Sequence, residues 1–181
     1  LIYSGIIIFP AIVSNISSTA ITREGQAFWQ TKVLPISSQM NMRYRILTTI
    51  VINLTGSILL GIIGYILLPV TLQMVLIGAV FAVSTNLFLA VIDFTINVYR
   101  PLLNWSHPTA AVKNNMNVTM ALGIRLVLGL ILFGIYKIAG VWMTNYSLVL
   151  VTLSIIFLGL YFVNRFILYN KLVTRFNKIA A

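Results

Sequence analysis

Residues 46–68 form a run of 23 positions without one charged side chain. An α-helix needs about 20 apolar residues to cross the hydrocarbon core of a bilayer, so this run reads as a transmembrane helix. A second uncharged run, 74–92, is closed by Asp93. Only Leu68-Pro69-Val70-Thr71 separates the two apolar runs at their centre, which leaves room for a turn and predicts a transmembrane hairpin. Residues 118–136, interrupted by Arg125, and residues 146–164 supply a third and a fourth span, joined by the connection 137–145. Residues 1–21 are uncharged as well, but Pro10 interrupts them and polar side chains fill 14–19. They read as the end of a fifth helix or a cut one. A signal peptide would carry a basic leading region; this segment has none and does not begin with Met, which reads as a fragment of a longer chain. The fold class that follows is all-α: a polytopic transmembrane helix bundle of about five spans, with short cytoplasmic amphipathic helices, forming a single transmembrane domain over 1–181.

Composition closes off other classes. The chain is 60% hydrophobic and 8% charged, against about 25% charged in soluble domains. Twelve Lys and Arg face only Glu24 and Asp93, for a net charge of +10, so a catalytic pair of carboxylates has almost no raw material. Cysteine is absent and His107 is the single histidine, which leaves no thiolate nucleophile and no metal cluster. Basic residues sit between apolar runs rather than on a face with aromatic partners, so nucleic acid is not an expected partner. No phosphate-cradling G-x-x-x-x-G-K-[ST] loop, H-E-x-x-H or G-x-S-x-G occurs. The chain reads as no enzyme, with no cofactor of its own.

Orientation follows from the loops, because Lys and Arg accumulate on the cytoplasmic side. Arg23, Lys32, Arg43 and Arg45 lie in 22–45, the Pro69 turn has none, and Arg100 and Lys113 lie in 97–117. The next loop holds only Lys137, and the tail from 165 holds Arg165, Lys171, Arg175 and Lys178. The expected protein is therefore a multi-pass cell-membrane protein with its C-terminus and the basic tail 165–181 in the cytoplasm, in contact with membrane lipids.

Segment 22–35 reads as a short amphipathic helix, with Ile21, Phe28, Trp29 and Val33 on one side and Arg23, Gln26, Gln30 and Thr31 on the other. Glu24 in the first turn and Lys32 in the last complement the helix dipole, and Pro35 stops the element. It fits either a helix lying on the inner leaflet or one docked in a partner's groove. In 97–117, Pro101 breaks one helix and Pro108 suits the first turn of another, while Asn104, Asn114, Asn115 and Asn117 suit loop capping. Trp105 fits an interface anchor or a partner contact. Asp93 and Arg125 fall near or within apolar spans, where a charge is costly; they are expected to pair, directly or through Arg100, or to line a substrate route. Ser57, Gly61, Gly64, Gly129 and Gly134 would permit close helix approach.

The run Arg23-Glu24-Gly25-Gln26-Ala27-Phe28-Trp29, with Lys32-Val33-Leu34-Pro35-Ile36-Ser37, resembles the R-E-G-x-x-F-W-x-x-K-x-L-P-[IV]-S signature of bacterial ABC transporter permeases of the ABC-2-type exporter class. Arg100-Pro101-Leu102-Leu103-Asn104-Trp105, followed by Ala111-Val112-Lys113-Asn114-Asn115-Met116-Asn117, is similar to their R-P-x-L-N-W…A-V-K-x-N-x-N segment. Ser106-His107-Pro108 departs from the polar or acidic residues expected after the Trp, and this chain is shorter than family members. The resemblance covers 22–117. It implies the membrane-spanning subunit of an exporter, with 22–35 as a coupling helix on a separate ATPase subunit that carries ATP and Mg. Arg23, Glu24, Phe28, Trp29 and Lys32 would make that contact, while Arg100, Asn104, Trp105 and Lys113 would shape the second cytoplasmic loop. A second permease copy, or the remainder of the permease, would be a further partner. The alternatives are an integral membrane enzyme or lipid- or peptide-processing factor, which would want polar catalytic clusters, and half of an ion-driven carrier, which would want broken helices or ionisable groups at midplane.

Overall fold

The structure is a computed structural model that describes residues 2–112, 115–142 and 145–179. It is an all-α bundle, with no strand among the described residues. In chain order the helices are α1 (Ile2–Val13), α2 (Phe28–Val33), α3 (Ser38–Leu67), α4 (Leu72–Tyr99), α5 (Pro108–Val112), α6 (Met116–Trp142), α7 (Tyr146–Ile167) and α8 (Val173–Lys178). A 3₁₀ element, Thr22–Ala27, leads into α2, and a π-helical turn, Leu168–Leu172, joins α7 to α8. Four helical stretches are long and apolar enough to cross a membrane, and α1 is a shorter apolar helix beside them.

The helices exceed the apolar runs because hydropathy marks the part of a helix in hydrocarbon, not its ends. α3 starts at Ser38, whose preceding residue Ser37 caps it by accepting the Met40 N–H. Its 30 residues span about 45 Å at 1.5 Å each, so Arg43 and Arg45 ride on the first two turns beyond the uncharged core. Thr71 caps α4 in the same way, accepting the Met74 N–H, and Asn145 caps α7. The α3–α4 hairpin therefore forms as the sequence predicts.

α4 is the centre of the bundle, packed against α7, α1 and α3. Phe88 and Phe157 stack at 5.4 Å between α4 and α7. α1 lies against α3 and α4, where glycines let it approach: Pro10 meets Gly56, and Tyr3 meets Gly64 and Gly78. Gly61 also faces α1. Gly129 and Gly134 meet no neighbour within 4 Å among the described residues, so the close approach expected at those two glycines is not seen there.

The tail read from 165 onward as an extension beyond the spans is structured. Leu168, Leu172, Phe176 and Ile179 recur at helical spacing and are all buried, with Phe28, Met42 and Ile46, in the largest apolar cluster. Lys171, Arg175 and Lys178 interleave with that stripe and mask it in a hydropathy window.

Candidate functional site

The candidate site is the basic end of the bundle, where the segment after α1 meets α3, α4 and the loop after α4. Residues 14–27 pass through this end in a turn and a 3₁₀ element, and such backbone has orphan polar groups that must be paired when buried. Asn97, on the last turns of α4, supplies the pairing. Its Oδ1 accepts the Ile21 N–H at 2.6 Å and its Nδ2 donates to Thr22 Oγ1 at 2.9 Å. Thr22 Oγ1 also accepts the Leu102 N–H at 3.2 Å, and Trp105 Nε1 donates to the Thr22 carbonyl at 2.7 Å. One threonine thus ties the first basic segment to the second.

Gly25 explains why 22–35 is not one helix. Its φ of +55° and ψ of −134° suit only a residue without Cβ. A Cβ there would stand 2.8 Å from the Trp105 indole. The kink re-aims everything after it. Phe28, expected on the outward aromatic face, is 0% exposed and packs edge-on against Phe176 at 5.7 Å. Its assignment to a partner contact is therefore corrected: it fastens α2 to α8 and α3. Trp29 points the other way at 56% exposure, followed by exposed Val33 and Leu34.

The charged residues of this element are committed within the chain. Glu24 pairs with Arg45 at 2.5 Å and accepts from Thr31 Oγ1 at 2.7 Å. Arg45 also donates to the Ala20 carbonyl at 2.9 Å. Arg23 donates to the Ile16 carbonyl at 2.9 Å; desolvation, then the Arg45 charge, lowers its pKa while Glu24 opposes. Lys32 donates to the Asn177 carbonyl at 2.7 Å and lies 5.9 Å from the centre of the Phe28 ring, with desolvation lowering its pKa. Glu24 is thus occupied as a strut, whereas Arg23 and Lys32 donate to backbone carbonyls.

In the second loop, Trp105 is half-buried on Gly25, Asn104 is exposed, and Arg100 reaches Met120 Sδ at 3.9 Å rather than Asp93. Asn117 Nδ2 donates to the Arg100 carbonyl at 2.7 Å, and Asn115 caps by accepting the Asn117 N–H. Lys113 and Asn114 lie outside the described residues.

Deeper in the bundle, Asp93 of α4 and Arg125 of α6 form a buried ion pair, and Arg125 also donates to the Ser14 carbonyl at 2.6 Å. Sequence reasoning paired these two but missed what surrounds them. Asn86, Asp93 and Asn97 fall seven and then four residues apart on α4, all buried, which is one helix face. That spacing was a readable signal. Asn86 finds no hydrogen-bond partner for its carboxamide among the described residues. Ser57, on the facing side of α3, is likewise unpaired. It borders an apolar cavity of about 510 Å³ between α1, α3 and α4. No group of three or more metal-ligating side chains occurs among the described residues.

Comparison of the chain with protein-family models, with curated proteins and with solved structures finds no match.

Proposed function

We propose that this chain is the membrane-spanning permease subunit of an ATP-driven exporter, and that Trp29, Val33 and Leu34 form the surface on which a separate ATP-binding subunit seats. One observation carries the reading. A short element with three exposed apolar side chains is held rigidly at the basic end of a membrane bundle by Asn97, Trp105, Arg45 and the buried Phe28. Water does not favour leaving such a patch bare, and a rigid mount transmits force. The mount reaches α3 through Arg45 and α4 through Asn97, so a push on Trp29 from below would be delivered to both strands of the hairpin.

In this reading the motif's two aromatics divide the labour, with Phe28 as the root and Trp29 as the contact. Arg23 and Lys32 set register at the rim, where charge fixes orientation more than affinity. The basic end faces the cytoplasm by the positive-inside rule. A second permease copy or the remainder of the permease completes the substrate route, and the partner subunit holds ATP and Mg.

The test is co-purification of the chain with a candidate ATP-binding subunit expressed together with it. Truncating an anchor aromatic costs about 2 kcal/mol or more, so Trp29→Ala is expected to weaken association about thirtyfold and to uncouple transport, with membrane insertion intact. Unchanged association and transport in a Trp29→Ala, Val33→Ala double variant would return the element to a helix lying among lipid headgroups.

A further inference from the structure

α7 does not end where its apolar run ends. It passes into the π-helical turn Leu168–Leu172, an irregularity often found at functional positions in helices. That turn carries Tyr169 to a place between two arginines from different helices. The Arg43 guanidinium of α3 lies 5.2 Å from the centre of its ring, and that of Arg165 lies 5.7 Å away. Arg165 is steadied further by Tyr161, whose hydroxyl accepts from it at 3.3 Å. Both guanidiniums border a pocket of about 410 Å³ whose remaining lining includes Met40, Leu47 and Ile50. Because α3 runs away from the basic end, Leu47 and Ile50 stand about 6 and 10 Å deeper than Arg43 at 1.5 Å per residue. The pocket is cationic at its mouth and apolar below.

Among the described residues the two arginines have no carboxylate side chain to answer them. The chain holds two acidic side chains; Glu24 pairs with Arg45 and Asp93 with Arg125. Two guanidinium forks held by cation–π contacts offer several parallel N–H donors, a geometry that matches phosphate oxygens. An aliphatic floor continuing toward the hydrocarbon matches an acyl chain.

We propose that this pocket is a binding site for an anionic phospholipid, its phosphate between Arg43 and Arg165 against the edge of Tyr169, and one acyl chain along Leu47 and Ile50. The site is independent of the Trp29 surface and stands whether or not an ATPase docks there. A zwitterionic headgroup fits it poorly, because its own cation would meet the two arginines.

The experiment is native mass spectrometry of the purified full chain titrated with dioleoyl phosphatidylglycerol or dioleoyl phosphatidylcholine. Phosphatidylglycerol is expected to be retained at least tenfold better. One basic residue at a membrane surface corresponds to about fivefold in binding and two to about thirtyfold. Arg43→Gln should therefore lower phosphatidylglycerol retention about fivefold, Arg43→Gln with Arg165→Gln about thirtyfold, and Lys137→Gln, on the far part of α6, not at all. Arg43 is exposed, so its single substitution leaves a folded protein to measure even if the double variant is not recovered. Equal retention of the two lipids, or undiminished phosphatidylglycerol retention in Arg43→Gln, would overturn the site. Displacement of the lipid by millimolar glycerol 3-phosphate would also overturn it, by assigning the arginines to a soluble phosphate.

Discussion

α4 and α6 are about equally apolar by composition, yet their positions in the bundle are opposite. α4 buries Phe81, Phe88, Leu89, Val91, Phe94 and Val98 among others, whereas the buried described side chains on α6 are Asn117, Ala121 and Arg125. In lipid, an apolar side chain gains little by moving from acyl chains to a protein interior, so hydropathy alone does not choose the helix that goes to the centre. Polar residues choose. Asn86, Asp93 and Asn97 give α4 a face that must find protein, while α6 has one short stripe, Asn117-Ala121-Arg125, at its basic end. α6 meets the bundle through that stripe and, farther along, through half-buried Leu128 and Leu132, and leaves Leu122, Leu126, Leu130 and Phe133 facing outward.

That contrast can be broken most forcefully at the ion pair. Asp93→Asn leaves Arg125 buried without its counter-ion, an arrangement that costs about 3–5 kcal/mol. The double variant Asp93→Asn, Arg125→Gln is expected to lose less than the single. Thermal unfolding in detergent, read as a double-mutant cycle, checks this; additive losses would show that the two helices are uncoupled. Asn117→Ala comes next. It removes one hydrogen bond to the Arg100 carbonyl and should cost about 1–3 kcal/mol by leaving that carbonyl unpaired. The same melts measure it, alongside faster proteolysis in the loop after α4. The smallest effect sharpens the comparison from the other side. Leu130→Ala, on the outward face of α6, should change stability by no more than about 0.5 kcal/mol. A loss of several kcal/mol there would mean that α6 is packed against another protein surface.

The same physics decides how much was legible in the sequence. The four spans were, because apolar runs of this length have one outcome in a bilayer, and so was the pairing of Asp93 with Arg125, since a lone charge in a span needs an opposite one. The interruption of 22–35 at Gly25 was not, because it depends on an indole eighty residues away. Without the kink, Phe28 and Trp29 share a helical face; with it, they point apart. The helical tail was hidden for a different reason, as its apolar stripe alternates with Lys171, Arg175 and Lys178 and averages out. The residues at the basic end could thus be named from the sequence, while which of them face outward required the tertiary contacts.

α1 ends at Val13, packed against α3, α4 and α6. The Ser14 carbonyl just past its last turn carries the partial negative charge of the helix end. The Arg125 guanidinium answers it, while also holding the Asp93 carboxylate. A single cation therefore neutralises one full charge and the pole of a neighbouring dipole, borne by two separate helices. Sliding α6 along its axis would expose both at once. The knot behaves like a keystone, in which the piece with the fewest apolar contacts of its own sets the position of the two beside it.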